Sequence, residues 1–254
     1  MPTYRAGRHE HGQNFLNNPA TVRAVVDAVE RTDGPLIEIG PGRGALTFEL
    51  QKLHRPLTVV EIDHGHAEWL KSKLKTQVRV VNADFLRWSP PAHRHVLVGN
   101  LPFHQTTAML RRVLHGPAWT DAVLLVQWEV ARRRAGIGGA SMMTAQWWPW
   151  VDFTVHQRIP SSAFTPRPSV DAGLLVMSRR TTPLLDPVHR RRYRRFVHAV
   201  FTGRGRGLPA ILSRLCDHKS LRAWLSRERL ATSALPKELS AGQWVELFSI
   251  VELS

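Results

Sequence analysis

Leu36-Ile37-Glu38-Ile39-Gly40-Pro41-Gly42-Arg43-Gly44 is the stretch around which the chain is organised. The turn pair Gly34-Pro35 precedes it, and the branched apolar run that follows reads as a buried strand. Glycine then stands at every second position, and Ala45-Leu46-Thr47-Phe48-Glu49-Leu50 takes up a helical pattern. Strand, glycine turn and helix in succession form a ligand site at the carboxyl end of the first strand of an open α/β sheet. Glycine lets the backbone pass close under a nucleoside with no Cβ in the way. By itself the motif fits a plain tight turn equally well, so its meaning rests on the other strand ends.

The totals narrow the classes. The chain has 254 residues, room for one large domain or a large and a small one, and its 43% hydrophobic content supports a soluble globular core. The lone Cys216 excludes an internal disulfide and a cysteine-based zinc site. His9 and His11 have no third ligand nearby, so no metal is expected. No signal peptide opens the chain and no apolar run reaches membrane-spanning length, which leaves the cytoplasm and no membrane partner as the expectation. Arginine supplies 29 of the 35 basic residues, and the net charge is +15. A GC-rich genome can favour arginine over lysine, but it does not create a surplus of bases over acids. That surplus favours a polyanion, most simply nucleic acid.

Each later strand ends in a residue suited to a nucleoside. Leu57 to Asp63 carries Glu61 about twenty residues past the glycine turn, where dinucleotide folds place an acid for the ribose hydroxyls, with Ile62 beside it. Val78 to Phe85 ends in Asp84, placed to accept from an adenine amino group, and Phe85, placed to pack nearby. Upstream, Gln13 and Asn14 precede the first strand and can fold over whatever the glycine turn holds, while Asn18-Pro19 caps a helix carrying Val22, Val25, Val26 and Val29. The fourth strand, from Val96, runs into Asn100-Leu101-Pro102-Phe103. Adenine N6 is a poor nucleophile because its lone pair is delocalised into the ring. Accepting both amine hydrogens, on the Asn100 side-chain oxygen and on the carbonyl of Leu101 or Pro102, draws that nitrogen towards tetrahedral geometry. Pro102 fixes the turn, and Phe103 offers a stacking face to a base taken out of its helix.

These motifs, together with Gly12 to Leu16, Glu38 to Gly44, Glu61 and Asp84, resemble the S-adenosylmethionine-dependent rRNA adenine N6-methyltransferases. Asn100 to Thr107 and Met142 to Trp150 resemble the actinobacterial erythromycin-resistance branch, which acts on 23S rRNA. The small-subunit branch tends to have tyrosine, asparagine and isoleucine where Phe103, His104 and Gln105 stand here. The resemblance is specific over residues 8–180 and looser beyond. It implies a seven-stranded Rossmann-like class I methyltransferase sheet, α/β in class, followed by a small all-helical domain. It also implies that Asn14, Leu16, Gly40, Glu61, Asp84 and Asn100 contact the cofactor, to which the glycine turn adds Gly42 and the strand ends add Ile62 and Phe85. In the family an aromatic in the proline-stiffened loop Ser161 to Pro168 faces the motif aromatic across the target base, which makes Phe164 the candidate second wall.

The remaining expectations are architectural. Asp121 to Gln127 reads as a fifth strand, and Val151 to Ile159 with Asp171 to Met177 as an antiparallel closing pair. The tryptophans at 147, 148 and 150 read as packing residues. Residues 1–182 form the expected catalytic domain and 183–254 the helical RNA-binding one. That last segment of 72 residues carries 13 basic and 6 acidic side chains. Tyr193, Phe196, Val197, Val200 and Phe201 form its apolar stripe, with Arg191, Arg194 and Arg195 opposite, ahead of a flexible hinge holding Arg204 and Arg206. Arg111, Arg112 and Arg132 to Arg134 are further RNA candidates, with a solvated face as the other reading. The expected activity is N6-methylation of one adenosine in protein-free or early-assembling 23S rRNA by a monomer, giving macrolide, lincosamide and streptogramin B resistance. No strong base is called for, because the N-methylated cation loses its proton to water. Rival readings are a 16S rRNA adenine dimethyltransferase, a non-catalytic RNA-binding or transcription factor on the same fold, and DNA adenine methylation.

Overall fold

A computed structural model describes residues 14–213 and 215–252. The short strand β1 (Phe15–Leu16) leads into helix Pro19–Glu30. Asn18 caps that helix, its side-chain oxygen accepting the Thr21 N–H at 2.9 Å, and Pro19 occupies the first turn, where a missing N–H costs nothing. Val25 and Val29 on its inner face are fully buried.

Five strands follow: β2 (Leu36–Ile39), β3 (Leu57–Glu61), β4 (Val78–Asn82), β5 (His95–Asn100) and β6 (Trp119–Gln127). All run parallel where they pair, with β2 between β3 and β5. β7 (Val151–Ile159) and β9 (Ala172–Arg179) complete a seven-stranded sheet of order β4-β3-β2-β5-β6-β9-β7. All four residues of β2 are buried, as a strand covered on both faces requires. The chain leaves β2 in one direction through β3 and β4, then returns to β5 on the other side of β2. Such a switch point opens a crevice at the carboxyl ends of β2 and β5. The strands end earlier than the sequence suggests, at Glu61, Asn82 and Asn100, so Asp63, Asp84 and Phe103 sit in the loops above the sheet. A second, two-stranded sheet pairs β1 antiparallel with β8 (Phe164–Thr165).

The chain groups into two compact units. The described part of the first comprises residues 14–131 and 155–177; that of the second comprises 132–154, 178–213 and 215–252. In the second, helix Arg190–Thr202 turns Tyr193, Phe196, Val197 and Val200 inward. Tyr193 meets Trp150 and Phe248 edge to face, each at 5.4 Å, and donates its hydroxyl to the Ala145 carbonyl at 3.0 Å. Phe201 stacks flat on Trp244 at 5.6 Å. Trp147 and Trp150 are buried packing residues. The basic glycine stretch after this helix is a packed turn instead of a hinge. A Cβ on Gly207 would lie 2.2 Å from the Thr232 carbonyl oxygen, and Leu208 N–H donates to Ala234. Among the described residues no helix is long and apolar enough to cross a membrane, and no cluster of three potential metal ligands forms.

Candidate functional site

At the carboxyl ends of β2 to β5 lies a cleft with about 970 Å³ of free space, its mouth included. Asn14, Leu16, Gly40, Gly42, Glu61, Ile62, Asp84, Phe85 and Asn100 line it. Gln13 lies outside the described residues.

The floor is the glycine turn. Gly40, Gly42 and Gly44 have φ of +65°, +54° and +76°, a backbone region that L side chains rarely adopt. At Gly42 a Cβ would also stand 3.0 Å from the Phe15 ring. That ring carries the Arg43 guanidinium over its face at 4.7 Å and meets His66 edge to face at 5.7 Å. The turn is held from beneath by Glu61, which is fully buried. Its Oε2 accepts the Gly42 N–H at 2.8 Å and its Oε1 the Asp63 N–H at 2.9 Å. A carboxylate has about four acceptor sites, so Glu61 can hold the turn and still accept hydroxyls from the cleft. Asp84 is arranged likewise, with Oδ1 taken by the Leu86 N–H at 2.9 Å. Beside these acids the apolar walls are Phe85, buried, and Ile62, 49% exposed at the rim.

The sequence reading did not single out Glu38 as a site residue. It lies in the middle of β2, 1% exposed, lines the cleft, and has its Oε2 buried without a hydrogen-bond partner. Burial pushes its carboxyl from 4.5 up to about 8; the Thr47 hydroxyl nearby opposes the rise and the neighbouring Glu61 adds to it. The signal was available: an acid flanked by Ile37 and Ile39 in a strand buried on both faces has no solvent to turn to. Gln105 and Met109, from the turn and helix after β5, also line the cleft; the sequence marks Gln105 through the run Asn100 to Thr107 but not as a lining residue.

Asn100 ends β5 with its amide set in one sense. Nδ2 donates to the Asn14 carbonyl at 2.7 Å, which leaves Oδ1 buried with no partner. Leu101 is buried and its N–H is tied to the Leu125 carbonyl at 3.0 Å. The Pro102 carbonyl already accepts from the Gln105 N–H at 3.0 Å and the Thr106 hydroxyl at 3.3 Å. Of the two carbonyls named from sequence, Leu101 therefore suits a second acceptor role better. Phe103 is half-buried, on a short turn leading into helix Thr106–His115.

Phe164 lies behind Phe103. It is 2% exposed, packed in the core through the pairing of β8 with β1, and it meets Phe103 edge to face with centroids 6.2 Å apart. These rings form no parallel slot, so Phe164 backs the Phe103 ring and does not face it across a gap. The arginine candidates also divide. Arg111, Arg133, Arg191, Arg195, Arg204 and Arg206 are exposed. Arg112 donates to the Trp88 carbonyl, and Arg134, 8% exposed, to the Ser141 hydroxyl, so both serve the fold first. Arg132 and Arg194 are half-buried.

Known proteins share this arrangement. The family model described as "Ribosomal RNA adenine dimethylase" matches residues 5–253. An "rRNA adenine N-6-methyltransferase" of Corynebacterium diphtheriae is 53% identical over 220 residues, covering 86% of this chain and 87% of that protein. The "Mycinamicin-resistance protein MyrB" of Micromonospora griseorubida is 44% identical, covering 96% and 79%. A crystal structure of the 23S rRNA methyltransferase ErmE superposes with a TM-score of 0.87 at 33% identity, covering 94% of this chain and 100% of that one.

Proposed function

The chain belongs to the ribosomal RNA adenine dimethylase family, and on that premise we propose that it methylates N6 of one adenosine in 23S rRNA, using S-adenosylmethionine. The outcome is resistance to macrolides, and with them lincosamides and streptogramin B, in line with the resistance protein among its relatives.

The observation that carries the chemistry is the amide of Asn100. The Asn14 carbonyl can only accept, so it fixes the nitrogen of Asn100 on its own side and presents Oδ1 as an unfilled acceptor. A buried acceptor without a donor is costly, and an exocyclic amine supplies the donor. The Leu101 carbonyl offers the second acceptor, and together the two hold the amine hydrogens away from the ring plane. Phe103 stacks the base. Catalysis of this kind is positioning, with fixed dipoles aimed at the nitrogen as its lone pair localises. No basic side chain is required, and the proton passes to water.

The residues of the cleft also fit the cofactor. Glu61 and Asp84 are acceptors for hydroxyl and amino groups, Ile62 and Phe85 are apolar walls, and the orphaned Oε2 of Glu38 suits a cationic group. When bound, the cofactor supplies an electrophilic methyl on a sulfonium centre. Base extrusion needs an accessible nucleotide, so the substrate is protein-free or early-assembling 23S rRNA, met in the cytoplasm by a monomer.

Primer extension on rRNA from a susceptible strain expressing the chain tests this reading. A new stop at a single adenosine of 23S rRNA, with a raised macrolide threshold, is expected. Modification of 16S rRNA alone would transfer the chain to the small-subunit branch and remove the resistance claim.

A further inference from the structure

We propose that Arg190 and Arg194, laid on the rings of Trp147 and Trp150, form a seat for an RNA phosphodiester. The proposal rests on RNA being the substrate and adds a defined point of contact within the second unit. The Arg190 guanidinium lies 5.5 Å from the Trp147 ring centre and 5.1 Å from that of Trp150, and Arg194 lies 5.2 Å from Trp147. Both indoles are only 4% exposed, so the platform is part of the core. Trp150 is fixed further by donating Nε1–H to the Leu185 carbonyl at 2.7 Å, and the Arg194 carbonyl accepts from Gln146 Nε2 at 3.3 Å.

The guanidiniums are held, but no acid answers them. Other arginines of this unit have carboxylates: Arg180 with Asp152 at 2.5 Å, Arg192 with Glu252 at 3.2 Å and Arg227 with Glu246 at 2.6 Å. Arg190 and Arg194 have none among the described residues, and the Nε of each is buried without a hydrogen-bond partner. Burial holds both guanidiniums below their ordinary value, and for Arg190 the charge of Arg194 adds to the effect; Arg179 is lowered by burial and by Arg190. Like charges gathered on an apolar platform repel one another, and an anion reverses the sign of that interaction. A guanidinium held over indole faces still has N–H groups to donate, and their fork matches two phosphate oxygens. The same open groove is bordered by exposed Arg191, Arg195 and His198, charge for a chain of phosphates more than for one small anion.

The test uses the full-length protein and a short hairpin from the peptidyl-transferase region of 23S rRNA. Binding is measured over a salt series for wild type, Arg190→Gln/Arg194→Gln, Arg190→Lys/Arg194→Lys and the exposed pair Arg191→Gln/Arg195→Gln. Each phosphate contact contributes roughly 0.7 to 0.9 to the slope of log affinity against log salt. The stacked glutamine pair should lower the slope by about 1 to 2 and raise KM for RNA about tenfold, a loss of one well-made charged contact, with kcat and cofactor affinity unchanged. The lysine pair should recover less than half of that loss, because lysine neither stacks nor forks. An unchanged slope, or an equal loss from the exposed pair, would overturn the seat in favour of a diffuse field. Should the glutamine pair fail to fold, protection in the wild-type protein decides. The hairpin should shield Arg190 and Arg194 from phenylglyoxal, read by mass mapping, and unshielded modification would overturn the proposal. Methylation of the same hairpin is scored separately. A wild-type protein that binds through these arginines but methylates nothing would refute the proposed function and leave the seat standing.

Discussion

The cleft above β2 to β5 and the groove on helix Arg190–Thr202 leave opposite kinds of atom unanswered. In the cleft they are oxygens, Glu38 Oε2 and Asn100 Oδ1. In the groove they are nitrogens, Nε of Arg190 and of Arg194. A buried polar atom without a partner is expensive, and a fold keeps one where a ligand completes it. Unfilled acceptors call for a ligand rich in donors, such as an amine; a cationic cofactor meets Glu38 as an acceptor once it displaces the proton that burial keeps there. Unfilled donors call for an anion, such as a phosphodiester. On the proposed function the first region does the chemistry and the second grips the RNA.

The sharpest way to break that division is Asn100→Ala. It removes the orphan oxygen and its anchor on Asn14 together, and single-turnover methyl transfer should fall by roughly 10²–10³-fold, the scale for losing one preorganised polar group. The folded variant should still bind cofactor, if more weakly, by calorimetry. Next in size is Phe103→Ala, which should lose about 1–3 kcal/mol of base stacking, whereas Phe103→Tyr should keep its activity. Rates that drop equally for both would reduce Phe103 to a packing partner of Phe164.

Glu38 bears on stability. Its carboxyl titrates at about 8 in the fold against an ordinary 4.5. Between those values the unfolded chain has released the proton and the native protein has kept it, so native stability falls as pH rises through the window and levels off above it. Cofactor-free Glu38→Gln should escape that fall and melt several degrees above wild type at pH 8, with little difference below pH 4.5. Melting curves that run parallel across the window would mean that the cleft tolerates the charge. The smallest effect belongs to Arg191→Gln/Arg195→Gln, which should weaken hairpin binding about threefold and lower its salt slope by less than the Arg190/Arg194 pair does.

Much of the cleft was legible in the sequence because its parts are local. A glycine turn, an acid at a strand end and the run Asn100 to Phe103 each announce themselves within a few residues. What was hidden depends on distant partners. The β1–β8 pairing joins Leu16 to Phe164, and it buries the ring expected as a second wall. The Asn14 carbonyl that orients Asn100 stands 86 residues away from it in the chain. Glu38 opens the motif Glu38 to Gly44, but nothing local in an apolar run shows that its carboxyl is buried without a partner. Arg190 carries no local signal, because its place over the rings depends on tryptophans some forty residues earlier, at 147 and 150. Arg112 and Arg134 read in the sequence as RNA candidates, because a sequence does not show which carbonyl or hydroxyl a guanidinium turns inward to meet.

The most direct measurement is transfer of tritiated methyl by purified wild type and Asn100→Ala, side by side, to protein-free 23S rRNA, mature 50S particles and small-subunit precursor particles. The modified base is then mapped. The expected result is label on N6 of a single adenosine in the naked 23S rRNA with wild type, little on either particle, and next to none anywhere with Asn100→Ala. Strong label on small-subunit particles with none on naked 23S rRNA, or undiminished label from folded Asn100→Ala, would contradict it.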